Sequence, residues 1–474
     1  MIYTKSNHYE LHLGKMQDVL EELPPESVDA IVTDPPYELG FMGKSWDSSG
    51  VAFSKDTWEH CLRVLKPGGY LLAFGGTRTF HRIACVIEDA GFEIRDTIMW
   101  LYGSGFPKSL NIGLAIDKKN GVESEVIGRA KGAGSTGDND AGNQTFVSKN
   151  QYEDGTYDIK KAQNKWSGWG TCLKPAYEPV IVARKPFTGS LVDNVLEYGV
   201  GGINIDECRV GNDYIDGGTM PKMGAGDTGV CNFQTVGAER VDYEGHFGRF
   251  PANVMLTYDD TDEKEVCGGM PYTKSGSEVS YGCVRKQQVD NCYKLGFTQK
   301  EINDGQYAPD SYGDEGNASR YFYCAKASKR DRDEGLDAFE EKKVYGDDVN
   351  WGYGNNNGDN FGDRVANVSR RNVHPTVKPV ALMQYLVRLV APKGSVVLDP
   401  FNGSGSTGKA CMYENNDRCA NYYYIGVEMT EEYLPISKAR IDYAISDTDR
   451  LEYEVIPNET DTSQSKKQTK IYLW

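Results

Sequence analysis

No apolar run in this chain reaches the roughly 18 residues that a membrane span needs. Its first ten residues, Met1 to Glu10, lack the apolar core of a secretory signal. Both absences lead to the expectation of a cytoplasmic protein with no membrane partner. Metal-binding cysteine patterns are missing as well. Eleven cysteines are present, among them Cys172, Cys208, Cys231, Cys267, Cys283 and Cys292, but no two form a Cys-x-x-Cys pair. Free thiols in a reducing compartment are expected, with no metal. Positive charge is in short supply: 52 Lys and Arg face 69 Asp and Glu, a net charge of −17. Averaged over the chain, that balance counts against a nucleic-acid partner, because phosphate contacts need cations. Local basic segments exist nonetheless, at Lys326, Lys329, Arg330 and Arg332 and at Arg364, Arg370 and Arg371. No internal repeat is present.

What remains is an ordinary globular composition, 39% hydrophobic and 26% charged, in 474 residues. Such a length accommodates about two to four domains. Seven β-rich apolar stretches stand out: Glu10–Gly14, Asp29–Pro36, Tyr70–Gly76, Phe92–Tyr102, Glu178–Lys185, Ser395–Pro400 and Tyr422–Met429. Helical patterns lie between several of them, at Asp56–Leu65, Thr79–Ala90 and Val380–Val390. The first ends at Lys66-Pro67-Gly68-Gly69 and the last at Pro392. Alternating strands and helices predict an α/β doubly wound sheet. The middle departs from this pattern. Residues 205 to 320 are rich in Gly, Tyr, Asp and Asn, with a strand candidate at Asn253–Tyr258. The Gly/Asn-rich stretches 131–144 and 355–360 read as loops, and the tail after Pro457 is polar.

Two loops carry the chemistry. Asp34-Pro35-Pro36-Tyr37 follows the buried-strand pattern Ala30-Ile31-Val32-Thr33. Its prolines stiffen the backbone just past a strand end. A carboxylate, a carbonyl and an aromatic ring are thereby held together: two acceptors for one amino group and a surface for a base to stack on. An ordinary proline turn would not need this set. The second loop is Asp399-Pro400-Phe401-Asn402-Gly403-Ser404-Gly405-Ser406-Thr407-Gly408. Gly403, Gly405 and Gly408 fit the dinucleotide pattern, with Glu428 as a ribose-binding acid. Gly403 to Lys409 also fits the phosphate loop, except that Ala410 stands where Ser or Thr would hold magnesium. A third reading is S-adenosylmethionine. The glycines alone do not choose among the three, and a plain tight turn would also use them.

Taken together, the loops favour the third reading. In doubly wound sheets, ligands bind at strand C-terminal ends where the strand order reverses. If Asp29–Pro36 and Ser395–Pro400 are neighbouring central strands, cofactor and amine acceptor face one crevice, as methyl transfer requires. A dehydrogenase or an ATPase gives Asp34-Pro35-Pro36-Tyr37 no role.

At these motifs the chain resembles the β class of amino-methylating DNA methyltransferases, in which the Asp-Pro-Pro-Tyr loop precedes the glycine loop. His374-Pro375-Thr376-Val377-Lys378-Pro379 is similar to the family segment that opens the cofactor site. Tyr424-Ile425-Gly426-Val427-Glu428 is similar to its ribose-binding strand, and Lys174–Pro179 and Gly248–Asn253 to further recurrent segments. The matches run over about 10–110, 172–210 and 245–445. Two departures are Ser406, where the family has Thr, and Lys15, where the family's Gly-Asp has an adenine-contacting Asp; Asp18 lies close by.

The resemblance implies a Rossmann-like methyltransferase sheet with circularly permuted motif order and an inserted target-recognition region. It divides the chain into 1–204 with the catalytic loop, a recognition region at 205–325, 326–456 with the cofactor loop, and a polar tail at 457–474. It implies methyl transfer from S-adenosylmethionine to N6 of adenine in double-stranded DNA after base flipping, in a prokaryotic or phage-infected cell. Asp34, Pro35, Pro36 and Tyr37 are then catalytic. Thr376, Lys378, Asp399, Phe401, Gly403, Ser404, Gly405, Ser406, Thr407 and Glu428 are assigned to the cofactor, and Lys326, Lys329 and Arg330 to DNA. N4 of cytosine remains the alternative acceptor, although that class more often has Ser in place of Asp34. A homodimer is left open.

Overall fold

A computed structural model describes residues 1–39, 45–102, 109–131, 156–215, 218–221, 240–258, 272–275, 314–317, 323–326, 329–344 and 368–447. Ten strands form one sheet: β1 (Ile2–Lys5), β2 (Tyr9–Leu13), β3 (Val28–Thr33), β4 (Leu65–Phe74), β5 (Glu93–Tyr102), β6 (Tyr177–Arg184), β7 (Val254–Tyr258), β8 (Tyr323–Lys326), β9 (Val396–Asp399) and β10 (Tyr423–Glu428). Their order is β1-β2-β10-β9-β3-β4-β6-β5-β7-β8. From β2 to β4 every pairing is parallel. β6 runs antiparallel to both of its neighbours, and β7 pairs parallel to β5. Central strands buried on both faces are mainly apolar, and β3 is buried at every position, its polar Asp29 and Thr33 being hydrogen-bonded to Lys66 and Asp399.

Helices cover both faces. α1 (Met16–Glu22), α2 (Lys55–Val64) and α3 (Phe80–Asp89) form one layer. Their apolar stripes, Met16, Val19, Leu20, Trp58, Cys61, Ile83 and Ile87, pack on Ile31, Leu71, Ile181, Leu398 and Ile425 of the sheet. The other layer holds α7 (Val380–Val390), α8 (Ser406–Arg418) and α9 (Leu434–Ser446). Ten of the eleven residues of α7 are buried, its apolar residues in the core and its polar Gln384 and Arg388 bonded to Glu414. Two further helices, α4 (Ile112–Asn120) and α5 (Leu191–Tyr198), end on Gly121 and Gly199. A one-turn α6 spans Lys329–Asp333.

This architecture is the doubly wound, permuted sheet expected from the sequence. The expected strand positions hold to within one or two residues, except that the stretch expected to run to Pro36 ends as a strand at Thr33 and that β4 begins five residues early. There the Lys66–Gly69 stop does end α2, but the same residues continue directly into the strand.

The chain divides into two compact units. The first comprises 1–207, 253–262 and 324–474; the second comprises 208–252 and 263–323. The stretch 205–325 is therefore not a single insert, because Val254–Tyr258 belongs to the main sheet. In the second unit, Val210–Ile215 pairs with His246–Arg249, Gly218–Pro221 with Arg240–Tyr243, and Tyr272–Ser275 with Asp314–Asn317, all antiparallel. Among the described residues, no helix is long and apolar enough to cross a membrane, and no cluster of His, Cys, Asp and Glu could hold a metal ion. Cys61, Cys85, Cys172, Cys208, Cys411 and Cys419 are free thiols.

Candidate active site

β9 lies between β3 and β10, with Leu398 opposite Ile31 and Asp399 opposite Gly426. The loops that leave the C-terminal ends of these three strands are therefore neighbours on one edge of the sheet. The first carries Asp34–Tyr37, the second Asp399–Gly405, and the third begins at Glu428.

Asp399 anchors the centre. Its carboxylate accepts hydrogen bonds from Thr33 Oγ1 (2.6 Å), Thr407 Oγ1 (2.7 Å) and the Phe401 amide (3.0 Å). Burial pushes its carboxyl up to about 6. These bonds tie the catalytic strand, the glycine loop and α8 into one unit. Asn402 does similar work beneath the loop. Its Oδ1 accepts from the Tyr424 hydroxyl at 2.8 Å, and its Nδ2 donates to Ser437 Oγ at 2.9 Å. Arg440, fully buried, donates to the Ser404 carbonyl, Ser404 Oγ and Ser406 Oγ.

Glu428 stands at the end of β10 and accepts from the Gly403 amide (2.8 Å) and the Thr430 amide (2.7 Å). Burial raises its pKa. A carboxylate with one backbone bond per oxygen keeps lone pairs for two adjacent hydroxyls. Gly403 has φ +51, and a Cβ there would stand 2.8 Å from His374 Nε2. His374 is fixed by its Nδ1, 2.7 Å from the Thr376 carbonyl, and by an edge-to-face contact with Tyr433. Burial lowers its pKa to about 3, so the ring is neutral.

Asp34 lies one residue past β3. Lys378 Nζ donates to its Oδ2 at 2.6 Å and to the Tyr37 hydroxyl at 3.2 Å, and stands 3.4 Å from Glu178 Oε2. The Tyr37 hydroxyl donates to Glu178 at 2.7 Å. Lys378 also rests over the rings of Phe74 (4.9 Å) and Tyr37 (5.3 Å). Asp34 Oδ1 is buried and has no hydrogen-bond partner among the described residues. Burial pushes the Asp34 carboxyl above its usual range, with Lys378 opposing and Glu178 adding to the rise. Burial alone would lower the Lys378 pKa, but Asp34 and Glu178 outweigh it and keep the ammonium charged.

The structure thus brings Asp34 and Tyr37 together with one residue expected on the cofactor. Lys378 belongs to the Asp34 cluster, not to the glycine loop. Asp399, Ser404, Ser406 and Thr407 have their side chains committed inside the protein, which leaves the backbone of their loop to face a ligand. Phe401 packs against the core, and Thr376 is exposed. Lys15 is exposed at the start of α1, and so is Asp18. The side chains of Lys326, Lys329 and Arg330 lie outside the described residues. Arg332 donates to the His374 and Pro375 carbonyls and braces that segment. Sequence reasoning does not single out Glu178 as a site residue, although its Lys174–Pro179 segment resembles one that recurs in the family. Nor does it single out Arg440 and His374 as the braces of the glycine loop.

The phosphate-loop reading fails on geometry. Lys409, which would have to reach the phosphates, is fully buried and bonds Glu334 at 2.7 Å between Tyr413 and Tyr443. The Gly403 amide, which a pyrophosphate would also want, is taken by Glu428.

The family model of the N6/N4 methyltransferases, described as DNA methylase, matches residues 28–122 and 264–439. The chain belongs to this family. It is 36% identical over 96 residues to the type II methyltransferase M.HpaI of Haemophilus parainfluenzae, covering 19% of this chain and 31% of that protein. It is 24% identical over 153 residues to the type II methyltransferase M.HindIII of Haemophilus influenzae, covering 31% of this chain and 37% of that one. The matched regions span about a third of each relative. Among solved structures, the PvuII cytosine-N4-specific DNA methyltransferase aligns with a TM-score of 0.38 and 12% identity, over 95% of this chain and 96% of that one.

Proposed function

We propose that the chain transfers a methyl group from S-adenosylmethionine to the exocyclic N6 amine of adenine in double-stranded DNA. The observation that carries this reading is Asp34 Oδ1, which is buried and has no hydrogen-bond partner among the described residues, just past the strand that neighbours the one leading into the glycine loop. A buried acceptor without a donor costs free energy in the free protein and is satisfied when an N–H group arrives. The exocyclic amine of adenine is such a donor. Its lone pair is delocalised into the ring, so it is a poor nucleophile until its hydrogens are held by acceptors. Asp34 Oδ1 takes one and the Pro35 carbonyl takes the other, and the nitrogen is directed towards the methyl group. Positioning is the principal device.

The residues at the glycine loop suit S-adenosylmethionine. Glu428 has lone pairs for the ribose hydroxyls, and the loop is drawn against Glu428 instead of being open for a phosphate. When bound, S-adenosylmethionine supplies an electrophilic methyl group on a sulfonium. Extruding the target base costs a few kcal/mol. Stacking on the half-buried Tyr37 ring, which its hydroxyl bond to Glu178 keeps in place, offsets about 1–3 kcal/mol of that. Target recognition is assigned to the second unit, whose exposed Tyr214 and Phe247 rings meet at 5.1 Å. Lys326, Lys329 and Arg330, which follow it in the sequence, are assigned to phosphate contacts.

Calorimetry with S-adenosylmethionine, its demethylated product, NAD and ATP tests the cofactor. Binding of the first two is expected; binding of NAD or ATP alone overturns the assignment.

A further inference from the structure

The chain between β5 and β6 builds a small module that the methyl-transfer reading leaves without a task. It leaves the sheet after Tyr102 and returns at Tyr177, and the Tyr102 amide donates to the Ala176 carbonyl. Because β5 runs in the same direction as β3 and β4, this is the edge that carries Asp34 and Glu178. The module contains α4, the hairpin Glu125–Lys131 with Thr156–Lys161, and the turn Trp166-Ser167-Gly168-Trp169.

Buried Asp117 holds it together, accepting from the Gln163 amide (2.8 Å), Asn164 Nδ2 (2.6 Å) and Ser124 Oγ (3.2 Å). Asn164 Nδ2 also donates to the Gly113 carbonyl, and the Ile112 amide donates to the Trp169 carbonyl. The Trp169 amide closes the turn on the Trp166 carbonyl, with Gly168 at φ +85. The outcome is a braced turn that presents two indoles to solvent, Trp166 at 38% and Trp169 at 58% exposure, edge to face at 5.2 Å. Leaving two tryptophans exposed on a rigid support forgoes the burial that these side chains normally contribute.

Charge identifies the partner. The described parts of the module carry Lys118, Lys119, Arg129, Lys160, Lys161, Lys165 and Lys174 against Asp117, Glu123, Glu125 and Asp158. Asp117 is buried, and Asp158 lies 3.4 Å from Arg129. A chain with net charge −17 thus carries an excess of exposed cations on the described parts of this module, and Lys165 stands 5.5 Å over the Trp166 ring. Aromatic faces interleaved with lysines fit nucleic acid: lysines meet phosphates and indoles stack on bases.

We infer that this module is a DNA-binding surface, in which Trp166 and Trp169 stack on bases near the extruded nucleotide and Lys160, Lys161 and Lys165 hold the adjacent backbone. The inference rests on duplex DNA being the substrate. It adds a contact separate from the second unit and from Lys326–Arg330.

The test titrates the full-length protein, with S-adenosylmethionine's demethylated product bound, against fluorescent 30-base-pair duplexes of mixed sequence over a range of salt. The double variant Trp166→Ala/Trp169→Ala is expected to weaken binding at least tenfold at unchanged salt slope. The triple variant Lys160→Gln/Lys161→Gln/Lys165→Gln is expected to flatten the slope by about 2 to 3. Both variants should retain the wild-type circular dichroism and cofactor affinity. If the wild type binds duplexes and both variants match it in affinity and slope, this inference is wrong while the methyl-transfer reading stands. Loss of concentration-dependent self-association in the tryptophan variant, with DNA binding intact, would likewise overturn it and reassign the face to a contact between copies. If the wild type binds no duplex at all, the DNA reading itself fails.

Discussion

Lys378 donates to Asp34 Oδ2 at 2.6 Å and in doing so fixes the carboxylate so that Oδ1 is left buried without a donor among the described residues. The ion pair therefore orients an acceptor as well as neutralising a charge. Removing Asp34 removes the acceptor. Asp34→Ala is expected to lower methyl transfer at least about 100-fold, the scale of a positioned proton acceptor. S-adenosylmethionine affinity should change less than about threefold. Steady-state kinetics and calorimetry on the same preparation check both halves.

The pH profile reports on Lys378. Burial raises the Asp34 pKa and Lys378 holds it down, and the carboxylate accepts from the amine more strongly than the protonated acid does. Turnover should therefore fall as pH drops and Asp34 takes up a proton. Lys378→Gln leaves burial and Glu178 opposed only by the weaker hydrogen bonding of Tyr37, so the acid limb of kcat/KM should move to higher pH. A variant with reduced rate but an unshifted acid limb would assign Lys378 a purely structural part.

Gly403 tests the glycine loop. Gly403→Ala forces an L-residue to φ +51 and sets its Cβ 2.8 Å from His374 Nε2, a ring held on two sides. The strain is of the order of 1–3 kcal/mol. The expected outcome is roughly tenfold or greater loss of S-adenosylmethionine affinity with the sheet intact, read by calorimetry and circular dichroism.

His374 makes the fold sensitive to acid. Burial depresses its pKa to about 3, against 6.5 for the free side chain. Between these values the unfolded chain binds the proton and the folded one does not. The neutral ring therefore contributes stability that is present above about pH 6.5 and is lost as pH falls towards 3. Melting temperature should drop as pH is lowered from 7 to 5, and His374→Gln should lessen that drop.

Lys409 separates structure from nucleotide binding. Lys409→Met removes the cation from Glu334, which keeps the Tyr413 hydroxyl, and is expected to cost about 1–3 kcal/mol of stability, the scale for losing a hydrogen bond to a charged group. Denaturant melts measure the loss, and neither wild type nor variant should bind ATP.

Much of this site was written in contiguous runs. Asp34–Tyr37 and Asp399–Thr407 each sit where an apolar strand stops, and Glu428 ends the strand after the glycine loop. Local patterns of that kind survive without a partner. Pairing does not. The strand Val254–Tyr258 reads as a strand from its residues, but nothing in them says that β5 receives it and draws it out of the surrounding stretch. Lys378 sits in a segment that resembles a cofactor site, yet its ammonium goes to Asp34 because Glu178, returning on antiparallel β6, adds a second carboxylate there. A contact made from three distant segments leaves no periodicity to find. Lys409 misled in the opposite direction: its spacing from Gly403 fits a phosphate loop, while α8 turns the side chain inward to Glu334.

The measurement that bears most directly on the central claim is the product itself. Purified protein, S-adenosylmethionine carrying a labelled methyl group, and duplex DNA of broad sequence content are incubated, and the DNA is digested to nucleosides for mass spectrometry. The account predicts labelled N6-methyladenine with the wild type and none with Asp34→Ala. Labelled N4-methylcytosine in its place, or N6-methyladenine undiminished in Asp34→Ala, would contradict it.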